Sequence, residues 1–203
     1  MVCVLLGWPS DGPTLRLDYR RFAYAGKFVM TNTGKAVVRD PSDRPSEGGT
    51  NGSVESSGAA METDTGYDED VLAAVAFNQD RTDPATLWLR YVTVRSDCRG
   101  EGLGPRLVTF VTDRATDRGY DRVRIAVNNP FAYEALYKSG FAWTGDETGL
   151  AELVLERPTT RAPVRFSSRY RAGFERFLER DLSRDEVTFC REKRGAALPT
   201  TTE

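Results

Sequence analysis

Histidine is missing altogether from the 203 residues. That excludes a Ser-His-Asp or Cys-His relay and any histidine-ligated zinc site. Chemistry is left to carboxylates, tyrosine, cysteine, backbone amides or a cofactor, and no metal is expected. Cysteine occurs only at Cys3, Cys98 and Cys190, with no CxxC pair. An odd, widely spaced set favours reduced thiols and a cytoplasmic setting over a disulfide framework. No apolar run approaches the ~20 residues of a membrane span. The start, MVCVLLGWPSDG, lacks the basic flank of a signal peptide, so no membrane partner is expected. A surplus of one charge is also missing: 28 basic residues nearly cancel 30 acidic ones, for a net charge of −2. Nothing in that balance draws the whole chain to nucleic acid. Lysine is scarce too, at Lys27, Lys35, Lys138 and Lys193 alone.

What is present suffices for one folded domain. The chain is 39% hydrophobic and 10% aromatic, which is enough for a core. Residues 1–39 read as short strands and turns belonging to a sheet. KFVMT (27–31) and KAVVR (35–39) flank TNTG, a hairpin signal, and Leu15 and Leu17 alternate with polar neighbours as an earlier strand would. From Asp40 to Asp70 there are nine acids, five glycines and five serines against one base, so 40–70 is expected to be a disordered acidic loop. VLAAVAF (71–77) and TLWLRYVTV (86–94) are apolar, β-branched runs suited to central strands.

A helix follows, with Leu103, Leu107, Val108, Val111 and Ala115 on one face and Gly119 at its end. RVRIAV (122–127) alternates as a strand, and Asn-Asn-Pro opens a second helix that Gly140 closes. FAWTG (141–145) and LAELVLER (150–157) make a closing hairpin. The order describes a mixed α/β sheet over 71–157. Residues 158–203 form a helical extension with disordered last residues. Phe166, Tyr170, Phe174, Phe177 and Leu178 mark one amphipathic helix, and the capping box Ser183-Arg-Asp-Glu186 opens another. Residues 157–195 hold eleven bases and six acids.

Chemistry concentrates in Arg99-Gly-Glu-Gly102-Leu-Gly104, set between a strand and a helix. Glycines let main-chain N–H groups crowd a phosphate, and the helix N-terminus adds favourable polarity. The loop fits neither rival phosphate motif. A Walker A loop needs Gly-Lys-Ser/Thr where Pro105-Arg106 stands, and a dinucleotide fingerprint needs a third glycine where Pro105 stands.

The segment VTVRSDCRGEGLG (92–104) resembles the strand and pyrophosphate loop of the GCN5-related N-acetyltransferase (GNAT) family. NPFAYEALYKSGF (129–141) is similar to that family's second helix, matching at Asn129, Ala132, Gly140 and Phe141. The resemblance covers roughly 70–157. It implies a mixed, mostly antiparallel central sheet splayed at the acetyl-CoA site, with helices on both faces and here an extra C-terminal helical segment. Acetyl-CoA, as co-substrate, would lie between strands 86–94 and 122–127. Val92 and Val94 would bond its pantetheine arm, Arg99, Gly100, Glu101, Gly102, Leu103 and Gly104 its pyrophosphate, and Asn129 the region near the thioester. The reaction implied is direct acetyl transfer to an amine, without a covalent enzyme intermediate.

Three departures bear on mechanism. The family's phenolic acid falls on Leu136, leaving Tyr137, turned about 100° around the helix, and Tyr133 as candidate acids. Pro105 removes one phosphate donor. The helices that usually follow the first strand are not visible in 1–39. The strand 86–94 carries no carboxylate base, so Asp80, Asp83, Glu134, Glu152 or a water chain stand as alternatives. Cys98 reads as a small buried thiol rather than a nucleophile. The acceptor is a small-molecule or peptide amine whose identity stays open, and a homodimer is compatible with the sequence. Two other classes compete: a CoA-binding module without turnover, and an interaction protein using its basic C-terminal helices.

Overall fold

A computed structural model describes residues 1–40, 66–161 and 164–201. Seven strands form one sheet in the order β1-β2-β3-β4-β5-β7-β6. They are β1 (Val2–Gly7), β2 (Gly34–Arg39), β3 (Val71–Gln79), β4 (Thr86–Val94), β5 (Arg122–Val127), β6 (Ala142–Glu147) and β7 (Leu153–Pro158). Every pairing is antiparallel except β4 with β5. The parallel pair is bridged by α1 (Leu103–Asp117), as a crossover connection requires. After β5 come α2 (Pro130–Lys138) and then, beyond the sheet, α3 (Ser167–Leu178) and α4 (Arg184–Arg194).

All four helices contribute to one buried cluster with Leu72, Val75, Leu87, Leu89 and Val123 of the sheet. Leu107, Val108 and Val111 of α1 are essentially inaccessible, and burying each such side chain is worth ~1.5–3 kcal/mol. The opposite face of β2 and β3 holds a second cluster, in which Leu15, Leu17, Phe22, Ala25 and Phe28 cover Val37, Ala74 and Ala76. An irregular segment, not a helix, therefore roofs this half of the sheet.

That segment corrects two strand expectations. Residues 27–31 are turns, and β2 pairs with β1 and β3 instead, from Val2 opposite Arg39 to Gly34 opposite Phe77. The apolar β1 already occupies the edge that 27–31 would need. Gly34 is no turn glycine either. A Cβ there would come within 2.5 Å of the Phe77 ring and 2.9 Å of the Gly7 carbonyl. Leu15 and Leu17 are buried as their alternation implies, yet their backbone bonds a loop: Leu15 N–H donates to the Phe28 carbonyl at 3.0 Å, and Arg16 N–H to Asp68 at 2.8 Å. The fully buried Lys35 binds these turns together. Its ammonium donates to the carbonyls of Pro13, Met30 and Thr33 and to the Thr33 hydroxyl, at 2.6–3.1 Å.

The expected acidic loop falls mostly on 41–65, outside the described residues. At its margins Asp70 is buried against Arg39 at 2.6 Å, and Asp40 N–H reaches the Asp70 carbonyl. In the extension, Tyr170, Phe174 and Phe177 are buried, but Phe166, which caps α3, is 56% exposed. The capping box at Ser183 forms as read, with Glu186 N–H donating to Ser183 Oγ and Ser183 N–H to the Glu186 carboxylate.

Candidate active site

Two facts of strand geometry create an opening. The parallel pairing of β4 with β5 stops at Leu89 opposite Ile125, although β4 runs on to Val94. Residues Tyr91–Val94 keep their antiparallel partner β3 but have no β5 partner, so one backbone edge of β4 is open. Within the same stretch Arg90 is an extra residue: Ala76 faces Tyr91 while Phe77 faces Leu89. This bulge resets the alternation. Leu87, Leu89, Val92 and Val94 all face the helical cluster, whereas Tyr91 turns to the second cluster and Arg90 to solvent. The sequence carries a trace of it in the odd step from Leu89 to Val92.

The open edge leads straight into the glycine loop. Arg95 Nε bonds Asp97 at 2.8 Å, and Arg95 N–H bonds the Leu72 carbonyl, fixing the end of β4. Cys98 is buried just beyond, as its small-thiol reading holds. Arg99, Gly100, Glu101 and Gly102 are exposed. Gly100 and Gly102 take φ values of 87° and 78°, and a Cβ on either would meet open space. The glycines are thus required by backbone conformation rather than crowding. Leu103 anchors the first turn of α1 in the core, and Gly104 sits against Val94.

No N–H from Gly100 to Gly104 has a hydrogen-bond partner among the described residues, and Gly102 supplies no side-chain cap to α1. Pro105 takes the third helical position, where its missing N–H is one of the donors a helix leaves unpaired anyway. An array of unpaired amides at a 15-residue helix's N-terminus, with Arg99 beside it, is a donor set suited to a polyphosphate. The residues therefore fit the pyrophosphate of coenzyme A.

Asn129 caps α2: its Oδ1 accepts from Ala132 N–H at 2.8 Å. The cap occupies the oxygen and leaves the amide NH₂ as a donor. On β4, the buried Thr93 hydroxyl has no partner among the described residues.

Tyr133 and Tyr137 lie elsewhere. Both are 0% exposed. The Tyr133 hydroxyl faces the carbonyls of Tyr170 at 3.2 Å and Arg169 at 3.3 Å, on α3. The Tyr137 hydroxyl accepts from Trp143 N–H at 3.0 Å, on β6. Strands β5 and β7 stand between β6 and β4, and at ~4.8 Å per strand this is about 14 Å from the open edge. Burial raises the pKa of Tyr133 far above the usual phenol value, reinforced by Tyr137. Burial raises that of Tyr137 as well, offset by the bonds from Tyr133 and Trp143. Rings of Tyr133, Tyr137, Tyr170 and Phe174 pack with centroids 4.7–6.0 Å apart. This geometry gives the tyrosines a packing task and brings neither hydroxyl to the opening.

The four carboxylates that could act as base are each engaged. Asp80 accepts from Thr82 and Asp83 within its own turn, Asp83 from Ala85 and Thr86, and Glu152 from Thr148. Glu134 is buried between Lys193 at 2.6 Å and Lys138 at 3.5 Å. Among the described residues no group of three or more Cys, Asp or Glu could hold a metal, and no helix is long and apolar enough to cross a membrane. Sequence reasoning passed over a cavity of about 310 Å³ beside the bulge, lined in part by Arg81, Arg90 and Tyr91.

Comparison with known proteins finds one family model and a set of solved structures. Residues 53–141 match the model of the acetyltransferase (GNAT) family. No curated protein matches the chain. Among solved structures, a nourseothricin acetyltransferase is similar at 19% identity, over 64% of this chain and 66% of that one, with a TM-score of 0.45. An N-acetyltransferase from Staphylococcus aureus Mu50 is similar at 15% identity, over 63% and 68%, with a TM-score of 0.44. A GCN5-related N-acetyltransferase from Kribbella flavida is similar at 20% identity, over 62% and 67%, with a TM-score of 0.42. Scores this low leave the acceptor to be read from the chain's own residues. The match to the acetyltransferase (GNAT) family model thus rests on residues 53–141 of the chain.

Proposed function

We propose that the protein is an acetyl-CoA-dependent N-acetyltransferase. The observation that carries this is the run of unpaired amides from Gly100 to Gly104, placed where the open edge of β4 ends. In this reading the amides and Arg99 hold the pyrophosphate, and the main-chain groups of Val92 and Val94 bond the pantetheine arm along the strand edge. The free NH₂ of Asn129 donates near the thioester. Acetyl-CoA supplies an activated acyl group: the acceptor nitrogen bonds the acetyl carbon, the carbon–sulfur bond breaks, and sulfur leaves with the electron pair. The protein's share is positioning, since fixing two reactants in register removes most of the entropic barrier.

The proton the amine gives up and the one the sulfur gains both pass through solvent at the open edge. Tyr133 and Tyr137 tie α3 and β6 to α2 in this reading. An α-amine, with a pKa of ~8 against ~10.4 for lysine, needs the least help from a base.

Calorimetric titration with acetyl-CoA tests the site. Wild type is expected to bind, and Arg99→Ala and Gly102→Trp to weaken binding at least tenfold while thermal unfolding stays unchanged. A folded wild-type protein that does not bind refutes the reading. Turnover is followed as thiol release over an amine panel, and Tyr133→Phe and Tyr137→Phe are expected to stay within about twofold of wild type. A hundredfold loss with an altered pH profile would restore a tyrosine acid. The sealed tyrosines also favour a second reading, a CoA-binding module without turnover. Tight binding with no thiol release across the panel would establish it.

A further inference from the structure

The cavity beside the β4 bulge is on the face opposite α1, yet it shares Arg90 and Tyr91 with the open edge. It measures about 310 Å³, the size of a small-molecule site. Asn32, Thr33, Asn78, Arg81, Arg90 and Tyr91 contribute to its lining. Its chemistry is cationic. Arg90 is held ready: Nε donates to Asn78 Oδ1 at 2.7 Å, and the guanidinium lies 5.1 Å from the centre of the Trp88 ring. That tether leaves both terminal nitrogens of Arg90 without a partner among the described residues. Arg81, in the turn after β3, makes no ion pair or hydrogen bond among them at all.

The nearby acids are held by other partners. Asp80 is bound by Thr82 and Asp83, and Asp83 by Ala85 and Thr86. Neither carboxylate lies within ion-pair distance of Arg81 or Arg90. Burial and the neighbouring charge of Arg81 lower the Arg90 pKa, with Asp80 opposing. Two further cations stand close. The Lys35 ammonium is bonded to Thr33 at 3.1 Å, and Lys27 lies 6.0 Å from the centre of the Tyr91 ring. Tyr24, in the left-handed region at φ 59°, lies against Tyr91 with the ring centroids 5.7 Å apart and the planes tilted by 39°.

Two guanidiniums facing one opening, one of them preset as a planar fork, match an oxyanion in bidentate fashion. We infer that this cavity is the acceptor site, and that the acceptor is a small amine which also carries an anionic oxyacid group, held by Arg81 and Arg90. A carboxylate and a phosphate monoester share that chemistry. With the anion on Arg81 and Arg90, the amine is directed along Tyr91 toward the open edge of β4. The placement rests on the acetyltransferase reading, but the binding of an anionic amine does not.

The test therefore has two arms. Without acetyl-CoA, the protein is titrated with the twenty free L-amino acids, with the same amino acids as carboxamides, and with O-phosphoethanolamine against ethanolamine. At least one anionic member is expected to bind about tenfold to a hundredfold more tightly than its neutral counterpart. Arg81→Gln and Arg90→Gln should each erase most of that preference, and Arg90→Lys should recover part of it. Preference among amino acids identifies a carboxylate, and preference for O-phosphoethanolamine identifies a phosphate. With acetyl-CoA, the same substitutions are expected to raise the acceptor KM while leaving acetyl-CoA affinity unchanged. Equal or better binding of every neutral counterpart, or a preference that survives both Gln substitutions, overturns the inference. Anion-selective binding by a protein that does not bind acetyl-CoA would instead sink the acetyltransferase reading and leave the cationic site standing.

Discussion

A methyl group added at Gly173 tests how α3 is docked. The Cβ of Gly173→Ala would lie 2.1 Å from the Tyr133 hydroxyl oxygen and 2.3 Å from the ring carbon bearing it. Non-bonded heavy atoms settle at ~3.5–4.0 Å, so the overlap exceeds an ångström. The ring cannot withdraw: Tyr133 is 0% exposed, and Tyr137, Phe174 and Phe177 surround it with centroids at 4.9, 5.1 and 5.6 Å. Overpacking of a filled core costs ~1–3 kcal/mol or more, and displacing the hydroxyl from the α3 carbonyls adds about 1 kcal/mol. Against this stands a gain of ~1 kcal/mol in helix propensity for replacing glycine by alanine. The net expectation is a loss of about 2 kcal/mol, read as a shift of roughly 1 M in the urea midpoint. Adding Tyr133→Leu should free the space and turn the alanine's contribution neutral or favourable. If Gly173→Ala alone raises the midpoint, as it would in a solvated helix, α3 does not rest on α2 as described.

Gly34→Ala should also destabilise, by ~2 kcal/mol, because the Cβ would overlap the buried Phe77 ring and the Gly7 carbonyl; an unchanged melting temperature would refute the close approach of β2 to its neighbours. Hydrogen bonds hold Asp80 and Asp83 below the usual carboxylate range, the largest contributions coming from Thr82 N–H and the Thr86 hydroxyl respectively. A depressed native value means stability that is present above the unfolded pKa of ~4 and lost as pH falls through the native one. Asp80→Asn should therefore flatten the acid limb of the stability–pH curve below about pH 4, and an identical limb in the variant would count against the turn.

Much of the site was legible because its signals are local. The strand 86–94 announces itself by an apolar run and the strand 122–127 by alternation, and the helix caps at Asn129 and Ser183 by short-range hydrogen bonding. The glycine loop is equally local, since left-handed φ at Gly100 and Gly102 is a property of three or four residues. What escaped depends on partners far along the chain. Residues 27–31 have strand composition, but β1 had taken their edge and Lys35 gathers their carbonyls into turns. Tyr133 and Tyr137 sit on one helical face whichever task they perform; only α3, more than thirty residues on, decides it. Arg81 and Arg90 meet through the bulge, and nothing in the composition of either segment marks that encounter.

The dependence of α2 on α3 has a consequence for synthesis. Helix α2 is nine residues long, well short of the ~12–15 at which an isolated helix is even marginal in water. Its inward tyrosines find their last partners only in Tyr170, Phe174 and Phe177. A ribosome delivers the chain from its N-terminus at ~5–20 residues per second. The sheet through β5 and the glycine loop thus emerge seconds before α3, and Asn129 must wait for it. The half-made protein can present its glycine loop at the open edge of β4 while α2 still lacks the partners that fix it.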